Sequence, residues 1–452
     1  MSKTSSASGL SRRGFLAAGV GAAVMFDGNV SIRHVLGADP DVEQRFVSVY
    51  FNGAWDVLLG LDPRDPGRTY AGIDLGTSLL APEFRTPIPV TVGGVETLWG
   101  APMASMARHA DVATVFRGVN MNTVAHESGR AYMNSFLPPA GVVVRGSSIA
   151  TLAAGVGPIP EDRILPNVSI GLPSFNIGHP SEVTAVTLRR APEITGLLRP
   201  ISPLMTPEVE GLLRTAQARS ASCVSTKYPG PRPDEQLAAA RARTRMLLDQ
   251  NVAALFDVGN ATDPAMIELR TRYGFPANAP TADSGNPGLA AAITGQLIRT
   301  GMTKAVTVAM LPSLDTHGVE WATNQPNRLK ANFDALAALL DDLREDDPGM
   351  TRTTVMIHSE FARTPRLNGQ SGRDHHFVNS IGVFGACLKG GVFGQSGPEN
   401  LGLVKIDLTT GQPSDAGQAL MPESIGATVI AAMGGDASIF RVSPLTSLIR
   451  GA

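Results

Sequence analysis

The chain has 452 residues, of which 43% are hydrophobic and 17% charged, and its formal net charge is −2. This length is enough for one large α/β domain or for two smaller domains. The sequence has no basic stripe, which argues against a nucleic acid as a partner. Its two cysteines, Cys223 and Cys387, lie far apart. An oxidising compartment would permit a disulfide between them, but two cysteines form no disulfide framework, and we expect two free buried thiols.

The first residues have the parts of an export signal. The pair Arg12-Arg13 stands directly before Gly-Phe-Leu, and an apolar stretch over residues 17–25 follows. This pair resembles the twin-arginine motif, so we expect residues 1–38 to be a signal peptide that is cleaved near Asp39. The alternatives are an uncleaved anchor or a basic tail before a buried helix. Recognition by the twin-arginine translocase predicts a periplasmic or secreted protein, and no later apolar run is long enough to span a bilayer.

Five apolar runs are typical of buried strands in a parallel sheet, and each ends in a polar or glycine-rich loop. They cover residues 46–51, 112–116, 305–311, 353–357 and 381–384. Between the third and fourth runs, apolar side chains repeat at the spacing of one helix face, and charged side chains occupy the other. The apolar positions are Leu329, Phe333, Leu336, Leu340 and Leu343, and the charged ones are Lys330, Asp334, Asp341 and Glu345. A helix between two strands predicts a crossover connection and therefore a parallel sheet.

The middle of the chain, residues 141–285, has a different composition. It contains proline-rich loops at 157–160 and 228–231 and one convincing helix, from Pro233 to about Val258. Few side chains suited to ligand binding lie there. We interpret this segment as an insertion or cap on the sheet domain.

Carboxylate, histidine, hydroxyl and arginine side chains follow the predicted strands, and ligands of open α/β sheets bind beyond the carboxyl ends of strands. The side chains are Asp56 after the first strand, Thr123, His126 and Ser128 after the second, Asp315 and His317 after the third, Glu360 and Arg363 after the fourth, and then Arg373, Asp374, His375 and His376. Carboxylate oxygens with imidazole nitrogens are the ligands of zinc, manganese or iron sites.

Each of these signals is weak by itself, and their recurrence at successive strand ends carries the prediction. The Asp315-Thr-His317 segment could be an ordinary turn. Only one of His375 and His376 need face the site, because adjacent residues of an extended segment point to opposite faces. Five of the eight histidines, including His358 at a strand end, fall in or beside these loops.

From about Phe46 to Gly434 the chain resembles the DUF1501 family of exported bacterial proteins. The most specific matches are residues 314–318, 359–368 and 372–375, although typical members have glycine where this chain has Ala362. The resemblance implies a domain over residues 44–450 with the α/β fold of the alkaline phosphatase-like superfamily. That fold has a central, mostly parallel sheet, helices on both faces and a metal-centred site at the strand ends. Relatives there include phosphatases, sulfatases, phosphodiesterases and phosphomutases.

The resemblance also implies roles for single residues. Asp56 would match the metal-binding aspartate after the first strand, and Asp315 and His317 would match a later aspartate and histidine. Asp374 with His375 or His376 would provide the last histidine ligand. Glu360 falls where many relatives have an Asp-His pair, but Phe361 follows it here. One imidazole of a standard two-zinc site is therefore missing.

The superfamily places a Ser or Thr nucleophile at a helix start, where backbone N–H groups can hold a phosphate. Thr123 and Ser128 are the candidates here, and either could instead be only an N-cap. His126 could be a further ligand or a general acid/base. Arg363 and Arg373 could bind an anionic oxygen through two hydrogen bonds, or they could be solvated loop arginines.

Taken together, these features predict an exported, metal-dependent hydrolase for phosphate or sulfate esters. Its cofactor would be one or two divalent ions, zinc or manganese, and its partner a small anionic ester. The alternative is a catalytically inactive metal-binding or assembly protein of the same fold, because fold alone does not fix function. A purely structural protein is a third interpretation, which ignores the clustering of side chains in the loops.

Overall fold

The computed structural model of the protein describes residues 43–450, except 160–162, 164, 280–284 and most of 200–250. The predicted signal peptide, Cys223 and most of the helix predicted from Pro233 to Val258 lie outside the described residues. Within the part of the chain that is described, none of the helices combines the length and apolar character needed to cross a membrane.

A mixed sheet of eight strands forms the centre of the protein, in the order β12-β4-β11-β8-β1-β7-β5-β6. The strands of this sheet are β1 (Arg45–Phe51), β4 (Ala113–Asn120), β5 (Asn167–Ile170), β6 (Val186–Leu188), β7 (Ala305–Met310), β8 (Thr353–His358), β11 (Val378–Phe384) and β12 (Gly391–Phe393). Two hairpins lie outside it, formed by β2 (Ile88–Val92) with β3 (Val95–Trp99) and by β9 (Ala362–Arg363) with β10 (His375–His376). All five predicted strands are present, which confirms the α/β class and the mostly parallel sheet.

One strand corrects the prediction of five parallel strands. β11 pairs antiparallel with both β4 and β8, whereas the other neighbouring strands of the sheet pair in parallel. A parallel return needs a crossover connection, usually a helix. The chain between β8 and β11 instead forms the β9–β10 hairpin, so β11 runs back from the edge that β8 has just reached.

Helices cover both faces of the sheet. They are α1 (His126–Ser135), α2 (Ile149–Ala154), α3 (Glu193–Leu198), α4 (Pro264–Tyr273), α5 (Pro287–Arg299), α6 (Trp321–Asp346) and α7 (Pro422–Ala432). Val47 and Val49 share one apolar cluster with α5 and α6, while Phe46 shares another with α1, α2 and α7. Successive residues of a strand point to opposite faces, so each face buries its own core.

The predicted crossover helix is α6, which has 26 residues and connects β7 to β8. The five leucine and phenylalanine side chains of its predicted apolar face are all buried. Because β1 lies between β7 and β8, the helix passes across one strand to join two parallel ones. The periodicity of the sequence therefore located this helix and its buried face correctly.

The segment expected to be an insertion or cap, residues 141–285, supplies two strands of the sheet. β5 pairs with β7 inside the sheet, and β6 forms its edge. Part of this segment thus extends the central sheet beyond β7.

The buried carboxylate of Asp62 pairs with two arginines, one of which, Arg117, belongs to β4. Asp62 lies 2.7 Å from Arg64 Nη1 and 3.6 Å from Arg117 Nε, and the hydroxyl of Ser396 donates to it. Burial opposes the ionisation of Asp62, but the two guanidinium groups outweigh this effect and lower its pKa.

Elsewhere, Cys387 is a free, half-buried thiol whose pKa is raised by burial.

Candidate metal centre

Four side chains from separate segments meet at one edge of the sheet. They are His126, the first residue of α1, Asp315 and His317 in the loop after β7, and His375 in β10. One nitrogen or oxygen atom from each lies within 4.8 Å of the others. Asp315 Oδ1 is 3.4 Å from His126 Nε2, 3.0 Å from His317 Nε2 and 3.7 Å from His375 Nε2. We call these four residues the His/Asp cluster.

The direction of β11 explains why His375 reaches this cluster. The carboxyl ends of β4 and β7 lie at the same edge, and they lead to His126 and to Asp315 with His317. An antiparallel strand has its amino end at that edge, so the residues just before β11 are brought there as well. A parallel β11 would have placed His375 at the opposite edge.

The Nδ1 atom of each imidazole in the cluster, on the side of the ring away from the centre, lies within hydrogen-bond distance of an oxygen. His126 Nδ1 is 2.8 Å from Glu360 Oε1, His317 Nδ1 is 3.1 Å from Asp374 Oδ1, and His375 Nδ1 is 2.7 Å from the carbonyl oxygen of Val124. All three partners are acceptors, so each Nδ1 carries the proton in the neutral ring. The lone pairs of His126 Nε2 and His375 Nε2 are then available to a cation at the centre, whereas His317 Nε2 also lies 3.2 Å from Arg363 Nη1.

Two of these Nε2 atoms have no other use within the described residues. His126 Nε2 and His375 Nε2 are buried and have no hydrogen-bond partner there. An unsatisfied buried polar atom costs about 1–3 kcal/mol. A bound ion would satisfy both atoms at once, which is how the residues present fit a metal.

The charges of the surrounding side chains also favour a cation. The carboxylates of Asp315, Glu360 and Asp374 are linked to the three imidazoles, and one guanidinium, that of Arg363, is linked to Asp315. Arg130 also interacts with Glu360 through its charge, so three carboxylates face two guanidinium groups and the site stays negative when the imidazoles are neutral. The cluster can therefore hold a metal ion.

Glu360 was predicted to be a ligand, and the structure places it behind His126 instead. It is fully buried and accepts hydrogen bonds from the backbone N–H of Gly53 at 2.9 Å and from the hydroxyl of Ser359 at 2.9 Å. Burial opposes its ionisation, but the hydrogen bond from His126 and its other hydrogen bonds lower its pKa. The same contact with Glu360 raises the pKa of His126.

Asp374, also predicted as a ligand, takes the corresponding position behind His317. Its Oδ1 also accepts from the side chain of Asn368 at 2.9 Å, and the hydrogen bond from His317 lowers its pKa. Carboxylates behind metal-binding histidines orient the rings and raise their basicity. Glu360 and Asp374 are placed for that role.

Arg363 is fully buried, which excludes the solvated arginine that the sequence left open. Its Nη2 donates to Asp315 Oδ1 at 2.6 Å, and its Nε donates to the carbonyl of Ala54 at 2.9 Å. Its remaining contacts are with the carbonyl oxygens of Gly53, Leu314 and Arg373 and with His317 Nε2. The five N–H groups of the guanidinium are thus used inside the protein, so Arg363 ties the loops together and has none left for an anion.

Asp56 and Arg373 form a separate buried pair. Asp56 Oδ2 lies 3.0 Å from Arg373 Nε and accepts from the indole of Trp321 at 3.0 Å. Its other oxygen accepts from the backbone N–H of Leu58 and begins a short helical turn. The guanidinium of Arg373 also stacks on Trp321 at 4.6 Å. The aspartate predicted as the first metal ligand is therefore engaged by an arginine outside the His/Asp cluster.

Of the adjacent histidines, His375 faces the cluster and His376 does not, as the alternation of an extended segment predicts. His376 Nε2 lies 3.0 Å from the carbonyl oxygen of Leu401. His358, the remaining histidine at a strand end, is buried against Ser48, and burial lowers its pKa to about 3, so it belongs to the core as a neutral ring.

The two candidate nucleophiles lie beside the cluster without joining it. Thr123 Oγ1 accepts from the backbone N–H of Ala125 at 3.2 Å, a turn just before α1. Ser128, in the first turn of α1, makes no side-chain hydrogen bond with the described residues. Neither hydroxyl is connected to the four side chains of the cluster.

Two features of the site had little signal in the sequence. Phe361 stands where an imidazole was expected, and its ring lies 4.9 Å from that of His126 and 4.5 Å from that of His375, so it forms an apolar wall. Gly129 lets α1 pack directly on this loop, because a Cβ there would lie 2.8 Å from the carbonyl oxygen of Glu360. A glycine in the first turn of a helix was the available clue to such a close approach.

Comparison with known proteins identifies the family of the chain. No curated protein matches the chain at a significant level. A family model described as "Protein of unknown function (DUF1501)" matches residues 43–400, a range that includes the whole His/Asp cluster and all eight strands of the central sheet. The chain therefore belongs to the DUF1501 family.

Proposed function

We propose that this protein is an exported, metal-dependent hydrolase for phosphate or sulfate esters, with one divalent ion held by the His/Asp cluster. The observation that carries the proposal is the orientation of three imidazoles. An acceptor fixes Nδ1 of each ring, and each Nε2 lies within 3.7 Å of one oxygen of Asp315. Histidines that bind metals in proteins show this arrangement.

The number of protein ligands bears on the choice of metal. Imidazole and carboxylate ligands suit zinc, manganese and iron. Four protein ligands would fill a tetrahedral zinc site, as they do in structural zinc sites. Hydrolysis requires a free position for water or substrate, so it favours an ion that takes five or six ligands, such as manganese.

A bound ion would supply a Lewis acid and lower the pKa of a water molecule. The chain's own residues set the geometry around it. The side chains of Asp315 and His317 are 41% and 42% exposed, so that side of the cluster is open to a substrate. Glu360 and Asp374 fix the rings behind it, and Arg363 holds Asp315. Since Thr123 and Ser128 are not connected to the cluster, we assign the attack on the ester to water.

The second candidate is a protein of the same fold that binds a metal without turnover. The buried Asp56–Arg373 pair favours it, because this pair engages the aspartate that was expected to serve a two-metal site. Among the described residues there is one group of three or more side chains suited to a metal. A zinc ion with four protein ligands would fit this role.

Metal content and turnover together separate the two candidates. Full-length chain is purified without chelators, analysed for its elements, and assayed with 4-nitrophenyl phosphate and 4-nitrophenyl sulfate in the presence of manganese or zinc. We expect close to one equivalent of metal, lost in Asp315→Ala and His375→Ala but kept in Asp415→Ala, an exposed control. Metal-dependent turnover supports the hydrolase, and metal without turnover supports the binding protein. Protein that takes up no metal overturns both.

Export is part of the proposal and rests on the Arg12-Arg13 pair of the sequence. Replacing both arginines by lysine should leave the protein in the cytoplasm, because the translocase recognises the pair itself. Cell fractionation of a bacterial host with the twin-arginine pathway measures this. Equal export of the wild-type and substituted chains would contradict the assignment.

A further inference from the structure

We infer that the His/Asp cluster takes esters whose organic group is hydrophobic, because exposed hydrophobic residues lie two positions along the chain from three of its ligands. This inference rests on the proposed function for the position of the substrate. It adds the chemical class of the part of the substrate that is not transferred.

An exposed hydrophobic residue occurs close to a ligand on each of three separate segments. Val124 lies two residues before His126, Val319 two residues after His317, and Phe377 two residues after His375. Their exposed fractions are 44%, 70% and 40%. Single exposed hydrophobic residues are common on protein surfaces, whereas apolar side chains gathered around one site mark a binding surface.

Backbone contacts bring two of these segments together. The carbonyl oxygen of Val124 accepts the hydrogen bond from His375 Nδ1 at 2.7 Å, and the carbonyl oxygen of Phe377 accepts from the backbone N–H of Met121 at 2.8 Å. Residues 121–125 and 375–377 therefore lie side by side next to the cluster. Val319 belongs to the loop of His317, one of the two most exposed ligands.

The charge of the site points to the same class of substrate. Asp315, Glu360 and Asp374 outnumber Arg363 and Arg130, and a bound cation would offset the negative charge that remains. Arg363 has no N–H group left for an anion, so no cationic side chain of the cluster adds to the affinity for the ester. The bound ion would hold the anionic oxygens of the ester, and contact with the exposed apolar side chains would add affinity for an ester with a hydrophobic group.

The test compares two phosphonates that cannot be hydrolysed, phenylphosphonate and methylphosphonate. Their binding to the metal-loaded full-length chain is measured by isothermal titration calorimetry, with metal content determined on the same samples. We expect phenylphosphonate to bind about tenfold more tightly, and Phe377→Ser or Val124→Ser to reduce this preference by about threefold to tenfold.

Val95→Ser is the matched control. Val95 is 49% exposed, like the residues tested, but it lies in the hairpin whose turn contacts Gly390 before β12, at the opposite edge of the sheet. The substitution should leave both affinities unchanged.

The inference is overturned if both phosphonates bind equally, if neither binds the metal-loaded protein, or if Val95→Ser changes the preference as much as Phe377→Ser. Turnover of 4-nitrophenyl phosphate is scored separately. A phenyl preference without turnover refutes hydrolysis and retains the apolar surface. Turnover without a phenyl preference refutes the apolar surface and retains hydrolysis.

Discussion

Replacing Glu360 by glutamine tests whether a buried carboxylate prepares His126 to bind a metal. Glutamine has nearly the same volume, and its oxygen can still accept a hydrogen bond from His126 Nδ1 or from Gly53. The substitution removes the charge and replaces one acceptor oxygen of Glu360 by a donor. The hydroxyl of Ser359 lies within hydrogen-bond distance of Glu360 and of the carbonyl of Phe51, so it can donate to that carbonyl and accept from the new donor. We therefore expect the protein to fold.

The expected loss of metal affinity follows from the kind of hydrogen bond that Glu360→Gln changes. A hydrogen bond to a carboxylate is roughly twice as strong as one between neutral groups. Substitution of a group behind a metal ligand typically weakens metal binding about 10- to 100-fold. That range corresponds to about 1.4–2.7 kcal/mol of binding free energy. Glu360 is fully buried, so solvent does not screen this effect.

The pH dependence gives a second signature of the same contact. His126 must be neutral to bind a metal, and the hydrogen bond to Glu360 raises its pKa above 6.5. Metal affinity of the wild-type protein should therefore fall as the pH drops through this raised pKa. In Glu360→Gln the main cause of the shift is gone, so the fall should begin at a lower pH.

The assay is calorimetric titration of the metal-free chain with manganese or zinc between about pH 5.5 and about pH 8, a range that spans the ordinary histidine pKa of about 6.5. Thermal unfolding followed by circular dichroism checks the fold of each variant. Glu399→Gln is the control, because Glu399 also accepts from a backbone N–H, that of Ala71, but is exposed. If Glu360→Gln folds and binds metal within about twofold of wild type, Glu360 does not prepare His126 to bind a metal.

Three further substitutions test packing and charge. Gly129→Ala places a Cβ 2.8 Å from the carbonyl oxygen of Glu360, so it should lower the free energy of urea unfolding by about 1–3 kcal/mol and weaken metal binding. Gly196→Ala is the control, because a Cβ there would have no atom within 4 Å and should not destabilise the protein. Leu336→Ala empties a fully buried position of α6 and should cost about 2–5 kcal/mol in the same titration, and a smaller loss would mean that the core closes around the gap. Because the pKa of Asp62 is lowered, its stabilisation is present above the ordinary value of 3.8 and is lost as the pH falls through the folded value. Asp62→Asn should therefore cost about 3–5 kcal/mol at neutral pH and less in acid, and equal losses by thermal unfolding at both would contradict the assignment.

The main elements of the fold could be predicted from local patterns in the sequence. β1, β4, β7 and β8 were predicted because apolar runs of strand length end in polar loops. α6 was predicted because its leucines repeat with the period of a helix. These are local properties of the chain, and burial of a continuous apolar face leaves few other structures for such segments.

The sequence also placed the side chains of the His/Asp cluster among the candidates. His126, Asp315, His317 and His375 all lie in loops next to strand ends, as the geometry of α/β sheets predicts. The resemblance to DUF1501 singled out the same loops. Which candidates would face the centre did not follow from their positions along the chain.

The roles of the residues within the site depend on tertiary contacts. Glu360 and Asp374 are carboxylates like Asp315, but they lie behind imidazoles. Asp56 is bound by Arg373, 317 positions away along the chain. The reversed direction of β11 brings His375 to the edge where His126 lies. These relations depend on the order and direction of strands that are distant in sequence, and a local pattern carries no information about distances across the sheet.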